Sequence, residues 1–575
     1  MYELARVSED NFIDVRNIEI KVRRILKLII PGICTLIGVS VMRAQTSAVT
    51  FKDATDESGI DFLYNFGDRS YENILESSGS GITVFDYNND GLMDLYLLNG
   101  TYLEGISDPE GKEFQGTGNS LYQNQGDGTF LDVSEKSGLD DRNWGMAASP
   151  VDLDNDGFQD LYVLNYGKNN FYHNNGDNTF SPITEKLKLV GPEMLNGFTK
   201  WSIGASFWDH NQDGLLDVMV GNFLAFDPEY VSSEYPEMMP HPAEYMGQAS
   251  ILYEQQKDGS FNEVTEKYDL YYPDSKCMGL SVFDVDMDGD LDIFQANDHQ
   301  KNFLFQNEGG KYSETGLASG IALNSNGQVT GSMHATLGDI DGDGLMDILV
   351  TDLKYGAMYR NVGNGLYEDV TASSGMAEAM RGKGCWGAAF LDYDNDGDLD
   401  LISANGTAEE LILQPPLLLQ NDGRGVFTDV GKDKGAYFKS KRSGRGLAIF
   451  DYDNDGDLDV IISHVDLKSK PALLRNDGGN KNHWLGLSLT GEQGLATGLG
   501  AWVTIETGTK KQVFINQWSK GYLSNSDPRI HVGLGNQNKI DRIKIVWPDG
   551  KKQEFKNIET DQYIEIDKEK GLKTN

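Results

Sequence analysis

Asp86-Tyr-Asn-Asn-Asp-Gly-Leu-Met-Asp94 places oxygen-bearing side chains at the first, third, fifth and ninth positions of a nine-residue run, with glycine at the sixth. Six further copies run Asp152 to Asp160, Asp209 to Asp217, Asp284 to Asp292, Asp339 to Asp347, Asp392 to Asp400 and Asp451 to Asp459. Their first aspartates are separated by 66, 57, 75, 55, 53 and 59 residues, a period that marks a repeat architecture. Each copy follows a run of small and apolar residues, such as Gly387-Ala-Ala-Phe-Leu391, and precedes a β-rich run, such as Leu161-Tyr-Val-Leu164. The nine-residue loop is therefore predicted to join two strands of a hairpin.

Working outward, a third element follows every loop: Leu121-Tyr-Gln-Asn124, Phe171-Tyr-His-Asn174, Leu252-Tyr-Glu-Gln255 and their four counterparts ending at Asn307, Asn361, Asn421 and Asn476. After a glycine-bearing turn comes a fourth, as in Phe130-Leu-Asp-Val-Ser134 and Phe427 to Gly431. Four strands per unit of about 55 to 65 residues is the make-up of a propeller blade. The seventh unit lacks a fourth strand after Asn476, but Phe51-Lys-Asp-Ala-Thr55 supplies that pattern ahead of the first unit. An amino-terminal strand that completes the last blade leaves the ring without a free edge. The expected fold class is all-β, a seven-bladed β-propeller followed by a small β-sandwich, with an open solenoid as the alternative.

The loop chemistry points to metal. The candidate ligands are Asp86, Asn88, Asp90 and Asp94; Asp152, Asp154, Asp156 and Asp160; Asp209, Asn211, Asp213 and Asp217; Asp284, Asp286, Asp288 and Asp292; Asp339, Asp341, Asp343 and Asp347; Asp392, Asp394, Asp396 and Asp400; and Asp451, Asp453, Asp455 and Asp459. Hard oxygen donors without nitrogen or sulfur select Ca²⁺, and up to seven structural ions are expected. An EF-hand is excluded, because it needs glutamate at the twelfth position and flanking helices, whereas Leu97 stands there inside a predicted strand. A metal-free Asx-turn hairpin is the other reading of any single copy.

Composition agrees. With 89 Asp and Glu against 49 Lys and Arg the net charge is −40, and 39% of residues are hydrophobic, so the chain is folded and acidic. No basic footprint for nucleic acid exists. The cysteines Cys34, Cys277 and Cys385 are too few for a disulfide scaffold or a structural zinc site. Cys277 and Cys385 share one register in blades four and six, with a whole blade between them, so both are expected as reduced, buried thiols. Residues 1–48 carry Lys21, Arg23, Arg24 and Lys27 before an apolar run from Leu28 to Met42 that leads to Ala44 and Ala48. That pattern predicts a signal peptide and short leader, an uncleaved anchor being the alternative, and it places the chain in a secreted or extracytoplasmic setting with no membrane span in the mature protein. The predicted organisation is propeller over 49–479, β domain over 480–570 and a tail over 571–575.

The repeats resemble the FG-GAP/VCBS repeats of integrin-α-like β-propellers. Asn482-His-Trp-Leu485, Gly498-Leu-Gly-Ala-Trp-Val503, Gly521-Tyr-Leu-Ser-Asn-Ser-Asp-Pro-Arg529, His531-Val-Gly-Leu-Gly535 and Ile545-Val-Trp-Pro-Asp-Gly550 resemble the ASPIC/UnbV domain. The order of the two is similar to the cartilage acidic protein 1-like family, a resemblance that implies an extracellular, calcium-binding protein. The loop from Thr490 to Thr497 departs from the pattern in lacking an Asn-Arg pair before its glycine. Residues 480 to 570 also alternate apolar and polar positions between turns, which predicts an antiparallel β-sandwich.

Several positions read two ways. Asn99, Asn165, Asn222, Asn297, Asp352, Asn405 and His464 stand five residues after each loop and form either a polar ligand ring or a set of backbone staples. Ser80, Met146, Ile203, Met278, Met333, Trp386 and Arg445, with Trp144, Trp201 and Lys276 two positions earlier, either line a central funnel or pack between blades. His334 lies in the same strand set. Gly521 to Arg529 is a recognition loop or a self-bonded turn. Phe223 to Gln248 in blade three, containing Glu234-Tyr-Pro-Glu-Met-Met-Pro-His-Pro242, is long enough to serve as a lid or partner surface. The leading function is a secreted calcium-binding module that recognises an extracellular protein or glycan. The alternative is a carbohydrate-active lyase or hydrolase on the same propeller, and a purely structural matrix role comes third. Eight histidines spread along the chain form no His-x-x-x-His pair, nucleophile elbow or phosphate loop, and a catalytic funnel would require Arg445, His334 and Trp386 to converge on a ligand-sized space.

Overall fold

A computed structural model describes residues 49–573 apart from 355, 409, 492–497 and 518–519. The predicted signal peptide and leader, with Cys34, lie outside the described residues, as does most of the loop from Thr490 to Thr497.

The described chain is nearly all β, with one-turn helices such as Ser134–Ser137 after several outer strands. Each nine-residue loop joins two antiparallel strands. Ile82–Phe85 pairs with Asp94–Leu97, Phe85 facing Asp94 across the loop, and Ser120–Asn124 and Phe130–Asp132 complete the first sheet. Six more four-stranded sheets repeat the plan, starting at Trp144–Val151, Ser202–Trp208, Cys277–Phe283, Thr330–Gly338, Cys385–Leu391 and Gly444–Phe450. The fourth and fifth sheets are further linked where Asp298 and Gln300 pair with Gly331 and Thr330.

These first strands are buried along most of their length because they lie innermost, each against the first strand of the next sheet, and Ile82–Phe85 meets Gly444–Phe450 to close the circuit. Glycine lets them approach: a Cβ on Gly81 would sit 2.3 Å from the Met146 carbonyl oxygen, and one on Gly387 would sit 2.7 Å from that of Arg445. The last sheet takes its fourth strand from the other end of the chain, as expected. Thr50–Asp53 pairs with Ala472–Asp477, Phe51 facing Asn476, and the Phe51 ring packs on Phe438 and Tyr393 at 5.7 and 6.2 Å between centroids. The architecture is a β-propeller.

Two further sheets follow. One orders Ile530–Gly535, His483–Thr490, Gln562–Asp567 and Gly571–Lys573; the other orders Lys510–Ile515, Trp502–Thr507, Lys539–Val546 and Lys552–Glu559. Val503, Ile505, Ile543 and Ile545 from the second share one core with Leu485, Leu487, Val532 and Ile566 from the first. Two details differ from the expectation of a purely antiparallel sandwich ending at 570. His483–Thr490 and Gln562–Asp567 run parallel, because the chain crosses between sheets before returning. Gly571–Lys573 adds an edge strand where a tail was expected.

Candidate metal centres and the closed channel

In each loop the first aspartate folds the turn onto itself. Asp86 Oδ1 accepts from the Asp90 amide at 3.1 Å and Oδ2 from the Gly91 amide at 2.8 Å, and Asp209, Asp392 and Asp451 repeat both bonds. The sixth-position glycines Gly91, Gly157, Gly214, Gly289, Gly344, Gly397 and Gly456 all have φ between +84° and +103°, a conformation that glycine adopts without steric cost. The ninth aspartate is engaged by backbone as well. Asp94 accepts from the Asn124 and Tyr87 amides at 2.8 and 3.1 Å, and Asp160, Asp217, Asp292, Asp347, Asp400 and Asp459 accept from the equivalent third-strand amides of Asn174, Gln255, Asn307, Asn361, Asn421 and Asn476.

What remains is unsatisfied. Asp152 Oδ1, Asp286 Oδ1, Asp339 Oδ1, Asp394 Oδ1 and Asp400 Oδ2 are buried oxygens with no hydrogen-bond partner. One oxygen each from Asp284, Asp286 and Asp292 lie within 4.8 Å of one another, and so do those of Asp339, Asp341 and Asp347, of Asp392, Asp394 and Asp400, and of Asp152, Asp154 and Asp156. Burial first, then the repulsion of neighbouring carboxylates, holds Asp284, Asp339 and Asp394 up at about 6 and Asp292 and Asp347 at about 8 against local amide bonds. An unpaired buried carboxylate is costly, and several oxygens converging without nitrogen or sulfur fit a hard divalent cation. The first and third loops are more open. There Asn88 donates to Asp90 at 2.9 Å, and Asn211 accepts from the Asp213 amide at 3.0 Å.

The sequence reading missed what the third-strand asparagines do. The side-chain amides of Asn124, Asn174, Asn421 and Asn476 donate to the second-position carbonyl of the preceding loop, at Tyr452, Tyr87, Ile340 and Tyr393, over 2.7–2.8 Å. Each therefore latches its sheet to its neighbour. A second chain of latches runs through the fourth loop position: Asn395 donates to the Gly456 carbonyl, Asn454 to Gly91 and Asn89 to Gly157, over 2.7–3.0 Å. The recurrence of asparagine after six of the seven loops was the available signal.

Residues 110–163, 152–220, 284–350 and 339–403 match the FG-GAP-like repeat, and residues 491–573 match ASPIC and UnbV. The chain carries FG-GAP-like repeats and an ASPIC and UnbV domain. It is similar to cartilage acidic protein 1 of Mus musculus, 27% identical over 295 residues that cover 48% of this chain and 42% of that protein. The Homo sapiens protein is 27% identical over 290 residues, 48% of this chain and 41% of its own, so the match spans less than half the length of these curated relatives. Among solved structures, an Agrocybe aegerita lectin described as recognising non-reducing terminal N-acetylglucosamine aligns over 69% of this chain and 80% of its own at 15% identity, with a TM-score of 0.28.

The ASPIC and UnbV domain sends Gly521–Arg529 into the centre of the FG-GAP ring. Asn525 bridges to Thr83 as a parallel partner, its amide donating to the Ile82 carbonyl at 2.9 Å and its carbonyl accepting from the Val84 amide at 3.0 Å. The Gly521 amide donates to His334 Nε2 at 2.9 Å, and the Ile449 amide to Ser526 Oγ at 3.1 Å. Tyr522 is wholly buried against Trp386, with ring centroids 5.0 Å apart. Where Gly521, Leu523 and Asn525 meet the inner strands the cavity left is about 20 Å³, little more than one water needs, whereas the end of the segment at Pro528 and Arg529 borders a cavity of about 820 Å³ at the loop face, lined also by Asp86, Asn89, Asp152 and Tyr563.

Both ambiguous residue sets are thereby placed. Trp144, Met146, Trp201, Ile203, Met278, Met333 and Trp386 belong to one apolar cluster with Tyr522 and Leu523. Arg445 lies over Trp386, 4.0 Å from the ring centroid, and donates to the carbonyls of Ser77, Gly444 and Thr407 over 2.8–3.0 Å. Arg445, His334 and Trp386 thus converge on the chain's own segment. The residues five after each loop are buried backbone staples. Asn165, Asn222, Asn297 and Asn405 donate to nearby carbonyls over 2.8–2.9 Å, Asn99 and Asp352 accept from the Asn65 and Gly331 amides, and His464 bonds the Lys470 carbonyl and the Tyr437 hydroxyl. Cys277 and Cys385 are buried and free.

Proposed function

We propose that this protein is a calcium-stabilised recognition module, exported by its leader, that binds an extracytoplasmic protein or glycan through the rim of the propeller. The observation that carries the calcium part is the set of buried carboxylate oxygens without partners in the nine-residue loops. Bound Ca²⁺ would supply the positive charge and oxygen coordination that those loops lack.

The recognition part rests on where surface remains. The channel is filled by Gly521–Arg529, so a ligand meets the outside of the ring. Phe223 to Gln248 projects there. Its base is tied down by a Leu224–Gly247 bridge and by Lys276 Nζ donating to the Pro242 carbonyl at 3.0 Å. Its outer part exposes Val231, Tyr235 and Met238, each between 52% and 62% accessible. An anchored base presenting exposed tyrosine and methionine fits recognition, since aromatic residues and methionine are enriched at interfaces. The excursion also bears Asp227, Glu229, Glu234, Glu237 and Glu244 with no lysine or arginine, which favours a partner carrying positive charge.

The test is calorimetric titration of Ca²⁺ into the full chain, paired with a glycan array and a pull-down with and without chelator. Ca²⁺ uptake, and a bound partner lost in a Tyr235→Ser, Met238→Ser variant, are expected. Absence of uptake would remove the calcium reading, and a partner bound equally well by the variant would move the recognition surface elsewhere.

A further inference from the structure

The seven loops do not present the same donor set. One residue before the third-strand residue whose amide bonds the ninth aspartate, a side chain reaches the third-position carboxylate of its own loop in two repeats: Gln306 Nε2 donates to Asp286 at 3.1 Å, and Gln420 Nε2 to Asp394 at 3.3 Å. The equivalent residues are Gln123, Glu254, Arg360 and Arg475 in four other repeats, and His173 in the second. His173 Nδ1 lies 2.9 Å from Asp160 Oδ1 and 3.7 Å from Asp154 Oδ2. Those three donor atoms all fall within 4.8 Å of one another.

A second observation points to an ion here. Asp152, which forms an overlapping group with Asp154 and Asp156, is 5% exposed, and its Oδ1 has no partner. The His173 side chain is 27% exposed, so an ion reaches it from solvent.

We propose that the loop of the second repeat is a mixed nitrogen–oxygen site that takes a first-row divalent transition ion, with His173 Nδ1, Asp154 and Asp160 as ligands. The proposal rests on the reading of the loops as cation sites but assigns this one a different metal. Ca²⁺ takes oxygen donors and gains little from a nitrogen. A neutral imidazole suits zinc, copper, iron and nickel, whose affinities for such donor sets follow the Irving–Williams order. Glutamine offers one weaker oxygen at that place and arginine no lone pair, so among these seven residues only His173 supplies a nitrogen donor to its loop.

Zn²⁺ titrated into the full chain in saturating Ca²⁺ tests it, together with pulsed electron paramagnetic resonance of the Mn²⁺-loaded chain. The expected result is Zn²⁺ uptake that Ca²⁺ does not suppress and a nitrogen hyperfine coupling to Mn²⁺. His173→Gln copies the residue found in three other repeats, so it is expected to fold, to weaken Zn²⁺ by at least the roughly 10–100-fold that loss of second-shell support alone costs, and to abolish the nitrogen coupling while leaving Ca²⁺ uptake unchanged. Zn²⁺ affinity that His173→Gln leaves intact, or Mn²⁺ without nitrogen coupling, overturns the assignment and leaves the calcium reading standing. Zn²⁺ held through His173 with no Ca²⁺ uptake at any loop would do the reverse.

Discussion

The channel and the loop face both bury charge, and they deal with it in opposite ways. In the channel, Arg445 is wholly buried, yet its guanidinium donates to the Ser77, Gly444 and Thr407 carbonyls, to Ser443 Oγ and to the Tyr71 hydroxyl, and it stacks on Trp386. Those bonds match the five donors a guanidinium has. On the loop face, Asp152, Asp286, Asp339, Asp394 and Asp400 each keep a buried oxygen that no group of the chain satisfies. The buried cation of the channel is thus satisfied by the chain's own groups while these buried carboxylates are not; the channel's remaining unpartnered atoms, Tyr522 Oη, Ser80 Oγ, Trp144 Nε1 and Trp201 Nε1, are neutral.

Removing divalent ions should therefore have the largest effect, and only through the loops. An ion at about 100 times its Kd contributes about 2.7 kcal/mol, and several sites act together, so EDTA is expected to lower the Tm more than any single substitution, as read by scanning calorimetry. An unchanged Tm would mean that the unsatisfied oxygens are tolerated and the contrast with the channel is empty. Tyr522→Ala tests the other side. Truncating a buried aromatic costs about 3–5 kcal/mol, and because the channel needs no ion, the loss should be the same with and without chelator. A loss that vanishes in EDTA would show that the channel segment is held only when the loops are filled.

The loop face was legible because its chemistry is local: nine residues contain the oxygens at the first, third, fifth and ninth positions and the glycine that must turn with positive φ, and the copies repeat them. Closure of the ring was also legible, since Phe51-Lys-Asp-Ala-Thr55 carries the pattern that the seventh unit lacks. The occupant of the channel was not. Asn525 pairs with Thr83 more than 400 residues away, and a segment of Tyr, Leu, Ser, Asn and Asp has no periodicity to announce where it docks. The same limit applied to Asn99 and its counterparts, which look alike as a ligand ring or as staples until the accepting carbonyls are placed. Asn124, Asn174, Asn421 and Asn476 were visible as a recurring letter, but their latch reaches into a different repeat.

Acidification gives a smaller, sharper test of the channel. Burial holds His334 down at about 3, below an unfolded value of about 6.5. The folded state thus binds fewer protons, so the stability this group contributes at neutral pH is lost as pH falls through about 6.5 and continues to fall toward about 3. By pH 5 the loss is about 2 kcal/mol. His334→Gln keeps an acceptor for the Gly521 amide but cannot titrate. Urea unfolding at pH 7 and pH 5 should show a smaller drop in the variant by about that amount, whereas equal drops would mean that His334 is not buried against the channel segment.

The smallest expected effect lies where the two regions differ least, at the latches that tie one loop to the next. Asn89 has φ +57° and donates from an exposed position to the Gly157 carbonyl at 2.7 Å. Alanine there would confound the loss of the bond with the strain of a left-handed backbone, but glycine keeps the conformation and removes only the amide. An exposed neutral hydrogen bond contributes about 0.5–1.5 kcal/mol, so Asn89→Gly should cost at most about that much with ions bound. Its informative effect is on coupling. The latch joins the sixth-position glycine of the second loop, whose amide bonds Asp152, to the fourth position of the first loop. If filling one loop fixes that glycine for the other, Ca²⁺ should enter the first two loops with positive cooperativity in the natural chain and independently in the variant. Isothermal titration distinguishes the two, and identical binding curves would show that each loop is an isolated site and that the ring, not the latch, is what the repeats share.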